Sequence, residues 1–476
     1  MARALGQPVW DAEYAGNCCN RVNISNVSVI GLGRSGRAAA LLLAQKGAQV
    51  YASDAGSKGD ISAAAKALEE RGIATQVGGH DLARIAKSSL VVVSPGVPPE
   101  APPLVAARNA GVPIVSEMAV GLDAMPDANI IAITGTNGKT TTTALIAHLL
   151  QTIGLDAVAA GNIGTPVSAF AQRPKPPKWY ALEVSSFQLH DTPNLRPRVG
   201  VLTNLTPDHL DRYASVNEYY ADKELLFRNA TPDSRWVWNA DSPAVLAMAR
   251  RYPGQHATFS VTTRGVDGWY DRAEDALVLG RKDKPLLSRR QLHLLGDHNV
   301  ANALAAALAV SIADDAHRRG DAKERIAEGL RSFRALPHRL EVVGEFGGVE
   351  WINDSKATNV DSTKVAIAGM TRPTVLLLGG RHKGEPYTSL AADIRKHAKV
   401  VIAYGEAGPT VANDLNGVVP VERLGSSFEE VVARARALAV PGDAVLLSPA
   451  CSSYDMFNNY EERGAEFRRL AASHSR

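Results

Sequence analysis

The sequence has little cysteine and no long apolar run. Only three cysteines occur in 476 residues, Cys18, Cys19 and Cys451, and none belongs to a C-x-x-C pair. An odd count without paired spacing argues against a disulfide scaffold and favours a reducing compartment. The longest apolar stretch, residues 303–312, is well short of the roughly 20 residues that span a bilayer. Residues 1–26 lack the apolar core of a signal peptide, so we expect a cytoplasmic protein without membrane insertion.

An excess of charge of one sign is also absent. Lysine and arginine total 52, aspartate and glutamate total 49, and the net charge is +3. Dedicated nucleic-acid binders carry a marked basic excess, so we expect small-molecule substrates and no nucleic-acid partner. The composition is 45% hydrophobic and 21% charged, which is typical of folded domains and excludes a wholly disordered chain. We further expect a monomer.

Three successive segments alternate short apolar strands with helical patterns, which predicts an α/β fold with mainly parallel sheets. Asp, Pro and Asn cluster at residues 123–129, and Leu336-Pro337-His338-Arg339 is typical of a second linker. We therefore predict three domains, residues 1–122, 123–335 and 336–476, with residues 1–26 as a poorly ordered extension. The first and third are predicted to be Rossmann-like and the central one a P-loop ATPase domain. From about Arg235 to Leu295 the pattern predicts a small, mainly antiparallel portion.

The individual elements follow from the same periodicity. The predicted strands are residues 27–30, 49–52, 91–94, 113–116, 130–134, 179–184, 199–203, 236–239, 276–279, 374–378, 399–404 and 444–448. The predicted helices are residues 38–46, 299–312, 323–333 and 428–439.

A glycine-rich loop in the second segment is the strongest chemical signal. Gly135-Thr136-Asn137-Gly138-Lys139-Thr140-Thr141 follows a predicted strand and precedes an amphipathic run, so backbone N–H groups and the helix dipole converge on one point. Lys139 is predicted to reach the β- and γ-phosphates of a nucleotide, and the Thr140 hydroxyl to bind Mg²⁺. The loop is shorter than the usual G-x-x-x-x-G-K-[ST] pattern. It predicts ATP or GTP binding without naming a reaction, and the alternative is an ordinary glycine turn.

A second glycine loop lies near the start of the first segment. Gly31-Leu32-Gly33-Arg34-Ser35-Gly36 follows a strand and opens a helix, and Asp54 ends the next strand, as in a dinucleotide-binding fingerprint. Taken alone, this pattern would indicate an NAD-dependent oxidoreductase, although no hydride-transfer residues accompany it. The broader prediction is a ligand with a diphosphate, either cofactor or substrate. A third interpretation is that the glycines serve only strand–helix packing.

Further motifs follow in a fixed order along the chain. They are Gly161-Asn162-Ile163-Gly164, Leu182-Glu183-Val184-Ser185-Ser186-Phe187-Gln188-Leu189, Asn204-Leu205-Thr206-Pro207-Asp208-His209-Leu210-Asp211, His298-Asn299-Val300-Ala301-Asn302, Leu336-Pro337-His338-Arg339, Asn353-Asp354-Ser355-Lys356-Ala357-Thr358-Asn359 and Ser448-Pro449-Ala450-Cys451-Ser452-Ser453. Together they resemble the Mur ligases, and in particular the members that add D-glutamate. The resemblance covers residues 27–463.

This resemblance implies an ATP-dependent ligase of peptidoglycan precursor synthesis that adds D-glutamate to UDP-N-acetylmuramoyl-L-alanine through an acyl phosphate. It implies two Mg²⁺ ions held by Thr140, Glu183, His209 and Lys223, the lysine as a carbamate. Lys139, Glu183, His209 and Lys223 would then be the catalytic residues. From the residues alone, His209 would be a hydrogen-bonding loop residue and Lys223 a solvated helix residue.

The resemblance also distributes binding roles over the three domains. For ATP it implies the glycine loop, Asn162 at the phosphates, Asn299 and Asn302 at the adenine, Arg339 at the phosphates and Asp354 at the ribose. Asn299 could instead cap its helix. For the uridine diphosphate substrate it implies Gly31 to Gly36, Asp54, Ser94, Pro95, Gly96, Asn162 and Ser185. For D-glutamate it implies Lys356, Thr358, Lys383, Ser453, Tyr454 and Tyr460.

The sequence departs from the better-known family pattern near the amino-acid site. Arg381 and His382 precede Lys383, and Tyr460 stands where phenylalanine is familiar. Three alternatives to the D-glutamate ligase remain at this point. They are a Mur ligase for L-alanine, a diamino acid or a dipeptide, an NAD-dependent oxidoreductase, and a non-catalytic nucleotide-binding regulator.

Overall fold

The computed structural model describes residues 25–208, 213–280 and 285–473. Within these ranges we find no helix with the length and apolarity needed to cross a bilayer. The chain divides into two compact units, Met1–Leu286 with Asn302–Leu330, and Leu287–Ala301 with Arg331–Arg476. Its strands form three sheets, and each sheet falls within one of the three predicted segments.

The first sheet is wholly parallel and has five strands in the order β3-β2-β1-β4-β5. The strands are β1 (Asn26–Ile30), β2 (Gln49–Asp54), β3 (Ala74–Val77), β4 (Leu90–Val93) and β5 (Ile114–Ser116). The accompanying helices are Arg34–Gln45, Asp60–Glu69, Leu82–Ile85, Pro102–Asn109 and Glu117–Asp123. The strand order reverses between β1 and β4, which opens a ligand-binding crevice at the carboxyl ends of those strands.

The second sheet has nine strands in the order β14-β13-β12-β11-β10-β9-β6-β8-β7. They are β6 (Asn129–Thr134), β7 (Ala157–Gly161), β8 (Trp179–Glu183), β9 (Val199–Leu202), β10 (Arg235–Asn239), β11 (Gln255–Ser260), β12 (Gly268–Asp271), β13 (Ala276–Leu279) and β14 (Pro285–Ser288). The helices are Lys139–Thr152, Val167–Ala171, Ser186–His190, Val216–Glu224, Pro243–Ala249, Asp297–Ala313 and Ala322–Ser332. Strand β6 lies between β8 and β9, so the residues that follow these three strands meet at one edge of the sheet.

The predicted antiparallel portion begins later than expected. Strand β10 pairs in parallel with β9 on one side and with β11 on the other, and β11 pairs in parallel with β12. The prediction was therefore wrong for the stretch from Arg235 to the start of β12. The seven-residue helix Pro243–Ala249 supplies the crossover that parallel pairing needs. The antiparallel pairing begins with β12 and β13, which a short turn connects.

The third sheet has six strands in the order β15-β16-β20-β17-β18-β19. They are β15 (Glu341–Phe346), β16 (Val349–Asn353), β17 (Thr374–Gly379), β18 (Ala398–Tyr404), β19 (Val421–Arg423) and β20 (Ala444–Leu447). The helices are Val360–Ala368, Ala391–His397, Gly408–Asp414, Phe428–Leu438 and Tyr460–Ala472. All pairs are parallel except β15 with β16, which Gly347 and Gly348 connect in a two-residue turn with positive φ at both positions. The predicted three-domain α/β fold is confirmed.

Candidate active site

The predicted phosphate loop connects β6 to the helix Lys139–Thr152. Gly135 and Gly138 have φ of 142° and 81°, a region that favours glycine. A side chain at Gly135 would overlap the Thr203 hydroxyl, and one at Gly138 would overlap the Asn302 carboxamide. The helix has no acidic residue in its first turn and no side-chain N-cap, and the start of such a helix favours an anion.

The segment after β9 fixes the shape of this loop. The Asn137 N–H donates to Asn204 Oδ1 at 2.8 Å, and the Thr136 N–H donates to the Asn204 carbonyl at 2.9 Å. The Thr136 hydroxyl donates to the Thr206 carbonyl at 2.9 Å. Asn204 and Thr206 belong to one of the sequence motifs, although no role was predicted for them. They hold the loop's backbone in position before any ligand binds.

Lys139 contacts its own loop. Its Nζ donates to the carbonyls of Gly135 at 2.8 Å and Thr136 at 2.7 Å. Thr140 and Thr141, the next two residues of the helix, are buried. An incoming phosphate would replace these two carbonyls as the acceptor of the lysine's hydrogen bonds. The exchange is favourable because a charged oxygen accepts a stronger hydrogen bond from an ammonium than a neutral carbonyl does.

Glu183 lies at the end of β8, opposite Ile133 of β6 and Gly161 of β7. It is 2% exposed, and its Oε1 accepts a hydrogen bond from Asn162 Nδ2 at 2.9 Å. Among the described residues, Oε2 has no hydrogen-bond partner. A buried carboxylate oxygen without a partner is costly, and a cation would compensate it. Asn162 also donates its backbone N–H to the Glu183 carbonyl, so it positions this carboxylate.

Lys223 is buried beside the phosphate loop, with an exposed fraction of 1%. Its Nζ donates to the Gly135 carbonyl at 2.8 Å and lies 4.7 Å from the centre of the Tyr219 ring. Burial, followed by the nearby charge of Lys139, holds the pKa of Lys223 well below its usual value. The interpretation as a solvated helix residue is therefore wrong. The sequence around Lys223 does not indicate that the side chain is buried, because the helix Val216–Glu224 has little amphipathic pattern.

His209 lies outside the described residues. Within the described ranges, no group of three or more His, Cys, Asp and Glu side chains is close enough to bind a metal. The remaining oxygen donors are those of Thr140 and Glu183. Oxygen donors of this kind, including the unpartnered Oε2 of Glu183, suit Mg²⁺, which is typically held by one or two carboxylates together with water and phosphate oxygens. The residues present therefore fit that ion.

The first glycine loop uses a carboxylate to organise its own backbone. The Asp54 carboxylate accepts the N–H of Leu32 at 2.7 Å and that of Gly56 at 2.8 Å. A side chain at Gly36 would overlap the Gly31 carbonyl, and the Ser94 hydroxyl donates to that carbonyl at 3.2 Å. The crevice between β1 and β4 thus contains the predicted loop. Of the other predicted residues, Gly33 caps the helix Arg34–Gln45, Arg34 and Ser35 form its first turn, and Pro95 and Gly96 lie in the loop after β4.

The two asparagines predicted at the adenine have different partners. Asn302 Oδ1 accepts the Thr142 hydroxyl at 3.2 Å and lies against Gly138 of the phosphate loop. Asn299 donates its carboxamide to the Leu295 carbonyl at 2.8 Å. Ser185 caps the helix Ser186–His190 in a reciprocal pair with Gln188. The ligand contacts of these residues stay predictions.

In the second unit, Asp354 is buried. Its Oδ2 accepts the Ser448 hydroxyl at 2.8 Å and its Oδ1 accepts the Leu340 N–H at 3.2 Å. Burial raises the pKa of Asp354 to about 7. Arg339 precedes Leu340 and follows His338, and both neighbours have positive φ, a conformation that costs roughly 1–2 kcal/mol per residue. The hydrogen bond to Asp354 therefore stabilises a strained linker at the arginine predicted for the phosphates.

The residues predicted for D-glutamate form two groups in this unit. Lys356 Nζ donates to the Tyr460 hydroxyl at 3.0 Å, and Lys383 Nζ donates to the Thr358 hydroxyl at 3.4 Å. Ser453 is buried, whereas Tyr454 is 62% exposed. The tyrosine that replaces the familiar phenylalanine thus acts as a hydrogen-bond acceptor for a lysine.

Arg463, for which no role was predicted, has a fully buried side chain. It donates to the hydroxyl and carbonyl of Ser355, at 3.0 and 2.7 Å, and to the Cys451 carbonyl at 3.1 Å. One guanidinium therefore joins the loop after β16 to the loop after β20. Its position at the end of the stretch covered by the family resemblance was the only sequence signal, because arginine is rarely fully buried.

Three family descriptions match the chain in succession. They are "Mur ligase MurD-like, N-terminal domain" over residues 25–116, "Mur ligase middle domain" over residues 133–310 and "Mur ligase, glutamate ligase domain" over residues 338–451.

Two curated relatives match over nearly the full length. The UDP-N-acetylmuramoylalanine–D-glutamate ligase of Acidobacterium capsulatum is 41% identical over 451 residues, which cover 94% of this chain and 96% of that protein. The ligase of the same name from Salinibacter ruber is 40% identical over 462 residues, covering 95% and 98%. Among solved structures, the UDP-N-acetylmuramate-alanine ligase of Thermotoga maritima has a TM-score of 0.61 at 21% identity, covering 94% of this chain and 99% of that one. The last likeness shows the fold.

Proposed function

The chain belongs to the Mur ligase family, and we propose that it joins D-glutamate to UDP-N-acetylmuramoyl-L-alanine while ATP is converted to ADP and phosphate. The observation that carries this proposal is the group formed by the phosphate loop, the buried Glu183 and the buried Lys223. Relatives that match nearly the whole chain are named for this ligation. Neither the oxidoreductase nor the binding-only alternative has comparable support.

The reaction requires activation of a carboxylate, since a carboxylate and an ammonium do not condense in water. The γ-phosphoryl group of ATP is transferred to a carboxylate oxygen of the L-alanyl substrate, and ADP leaves. The deprotonated amine of D-glutamate then attacks the acyl carbon, and phosphate leaves with the electron pair of the broken C–O bond. Both steps accumulate negative charge, which preorganised donors and cations stabilise.

The phosphate loop supplies those donors. The backbone N–H groups at the start of the helix Lys139–Thr152 and the Lys139 ammonium would bind the β- and γ-phosphates. Asn204 and Thr206 hold the loop in place, so little reorganisation is needed when charge develops. Asn162 is proposed to act at the phosphates and to orient Glu183.

We assign Thr140, Glu183, His209 and Lys223 to two Mg²⁺ ions, with Lys223 as a carbamate. Bound Mg²⁺ would neutralise phosphate charge during transfer. The low pKa of Lys223 supports this assignment, because only the neutral amine adds to CO₂. The carbamate would replace a buried cation by an anionic oxygen donor, the ligand type that Mg²⁺ prefers.

The other predicted ligand contacts are retained as proposals. ATP would contact Asn299, Asn302, Arg339 and Asp354, and the uridine diphosphate end would occupy the crevice beside Asp54. D-glutamate would contact the two lysine-containing groups around Lys356 and Lys383, which offer cations and hydroxyls to its two carboxylates. We also propose domain boundaries at residues 122 and 335, a monomeric enzyme and a cytoplasmic location, where ATP is available.

The proposal is tested by measuring ADP release with ATP, Mg²⁺ and UDP-N-acetylmuramoyl-L-alanine, with and without an amino acid. We expect release that requires both the nucleotide sugar and D-glutamate. Parallel reactions with L-glutamate, L-alanine, a diamino acid and a dipeptide separate the family's other activities. Release that depends on one of these instead of D-glutamate would overturn the assignment.

A further inference from the structure

The loop that carries Lys383 contains two residues that the proposed function does not use. Arg381 and His382 lie between the end of β17 and Lys383, where the sequence departs from the familiar family pattern. A second loop, residues 448–453, follows β20 and carries Ser453. Both loops are proposed to bind the amino-acid substrate, so their separation determines the size of that site.

A chain of side-chain hydrogen bonds connects the two loops. His382 Nδ1 lies 2.9 Å from the Tyr387 hydroxyl, which lies 2.9 Å from Cys451 Sγ. Tyr387 and Cys451 are almost completely buried. The Tyr387 N–H also donates to Asp414 Oδ2 at 2.9 Å, which anchors the middle of the chain to a neighbouring helix.

The hydrogen bonds among these three side chains can run in either direction. With Nδ1 unprotonated, the tyrosine O–H donates to it and the phenol oxygen accepts the cysteine S–H. With a proton on Nδ1, that N–H donates to the phenol oxygen and the tyrosine O–H donates to sulfur. Burial raises the pKa of Cys451 to about 11, so the thiol keeps its proton at neutral pH.

The backbone approaches closely at the same place. The Arg381 N–H donates to the Ser452 carbonyl at 2.9 Å, and the Ser452 hydroxyl donates to the Arg381 carbonyl at 3.3 Å. A side chain at Gly380 would overlap the Ser452 carbonyl. The exposed Arg381 guanidinium pairs with Glu406 at 3.1 Å, a contact worth little at the surface. That pair does not reach residues 448–453, whereas the buried chain through Tyr387 contacts Cys451 directly.

We propose that His382, Tyr387 and Cys451 are positioning residues that form a strut between the two loops and set the affinity for the amino-acid substrate. The strut holds Lys383 and Ser453 at a fixed separation, so that the site is formed before D-glutamate binds. This inference rests on the proposed function and deepens it.

The first test is the kinetics of Tyr387→Phe. Loss of the hydroxyl removes two neutral hydrogen bonds, and we expect a three- to ten-fold rise in KM for D-glutamate. The kcat value and the KM values for ATP and the nucleotide sugar should stay within two-fold. Cys451→Ala should give a similar rise in KM for D-glutamate, and Cys451→Ser should keep KM within two-fold of the parent value. The double variant Tyr387→Phe/Cys451→Ala should have a KM no higher than that of either single variant, because both changes break the same chain of hydrogen bonds.

Tyr270→Phe is the matched control, since it removes a tyrosine hydrogen bond to Asp275 in the central domain. A purely structural role predicts that Tyr387→Phe lowers the melting temperature without changing KM for D-glutamate. That result would overturn the strut.

A second readout does not need turnover. The S–H stretching band of Cys451, identified by its disappearance in Cys451→Ala, should shift in Tyr387→Phe because its hydrogen-bond partner is lost. An unchanged band contradicts the strut. If the parent enzyme fails to release ADP with D-glutamate, the proposed function fails, and the infrared band still decides whether the hydrogen-bonded chain exists.

Discussion

The two glycine loops of the chain share one backbone design and differ in the charges around them. Each follows a central parallel strand and precedes a helix. Each also contains glycines at which a side chain would overlap neighbouring atoms. The first loop is organised by the Asp54 carboxylate. The second contains Lys139 and is bordered by the buried Lys223 and Glu183. This difference fits the proposed roles, in which the first loop binds a diphosphate with its backbone alone and the second uses cations and an oxygen ligand for metal in phosphoryl transfer.

The sharpest way to break this comparison is Lys139→Ala. The second loop would then keep its backbone donors but lose its fixed cation, and we expect kcat to fall by roughly 10²–10³-fold, as when a charge-stabilising donor is removed. Steady-state ADP release measures the loss. Binding of the nucleotide sugar, measured by calorimetry, should be unchanged, and a parallel loss of that binding would contradict the division of roles.

Lys223→Gln tests the proposed Mg²⁺ ligands beside the second loop. The variant cannot form a carbamate, and we expect a loss in kcat of roughly 100-fold. Lys364→Gln, on an exposed face of the helix Val360–Ala368, is the matched control. Electron density at Lys223 in a nucleotide-bound crystal provides a direct check, and an unmodified amine pointing into solvent would contradict its role.

Asp54→Asn tests the first loop. The amide can accept only one of the two backbone hydrogen bonds that the carboxylate accepts, and it carries no charge. We expect KM for the nucleotide sugar to rise about ten-fold, which is the cost of a weakened charge-assisted hydrogen bond, with kcat unchanged. A fall in kcat at saturating substrate would show that the first loop also takes part in the chemistry.

Glu117→Gln should have the smallest effect on turnover, and it tests the link between the two glycine-loop regions. Glu117 follows β5, and its Oε1 accepts the Ser168 N–H at 2.5 Å in the segment after β7. Burial raises its pKa to about 7 from an ordinary 4.5. Between those values the native state keeps a proton that the unfolded chain releases, so stability contributed by this group is present below pH 4.5 and is lost as pH rises through 7.

Urea unfolding of the parent and Glu117→Gln at pH 5 and pH 8 measures this effect. Glutamine does not titrate, so the variant does not lose this stability. From pH 5 to pH 8 its free energy of unfolding should therefore rise by up to about 3 kcal/mol relative to that of the parent. Glu100→Gln, at an exposed position, should show no such relative gain. Equal pH dependence in parent and Glu117→Gln would contradict the buried, protonated carboxyl group.

Most of the sheets could be predicted because apolar runs of parallel strands are distinctive. The predicted strand 276–279 matches β13, and 130–134 differs from β6 by one residue. The strands that were missed, such as β3 and β19, are short and only partly buried, so their sequences lack a continuous apolar run. The β10–β11 pairing was misjudged because its crossover helix has only seven residues.

The phosphate loop could be predicted in the same way, since glycine spacing and the following lysine reflect local geometry. The burial of Lys223 could not, because it depends on contacts with Gly135, 88 positions away. Arg463 and Asn204 were missed for the same reason. Their roles are hydrogen bonds to distant backbone groups, which residue identity and spacing do not encode.

The most direct test of the central claim follows oxygen atoms through the reaction. UDP-N-acetylmuramoyl-L-alanine is labelled with ¹⁸O in both carboxylate oxygens and converted with ATP and D-glutamate. An acyl phosphate predicts that one ¹⁸O appears in the released phosphate and the other in the new amide, as measured by mass spectrometry. Released phosphate without ¹⁸O, alongside normal amide formation, would show that no carboxyl oxygen was phosphorylated and would contradict the account.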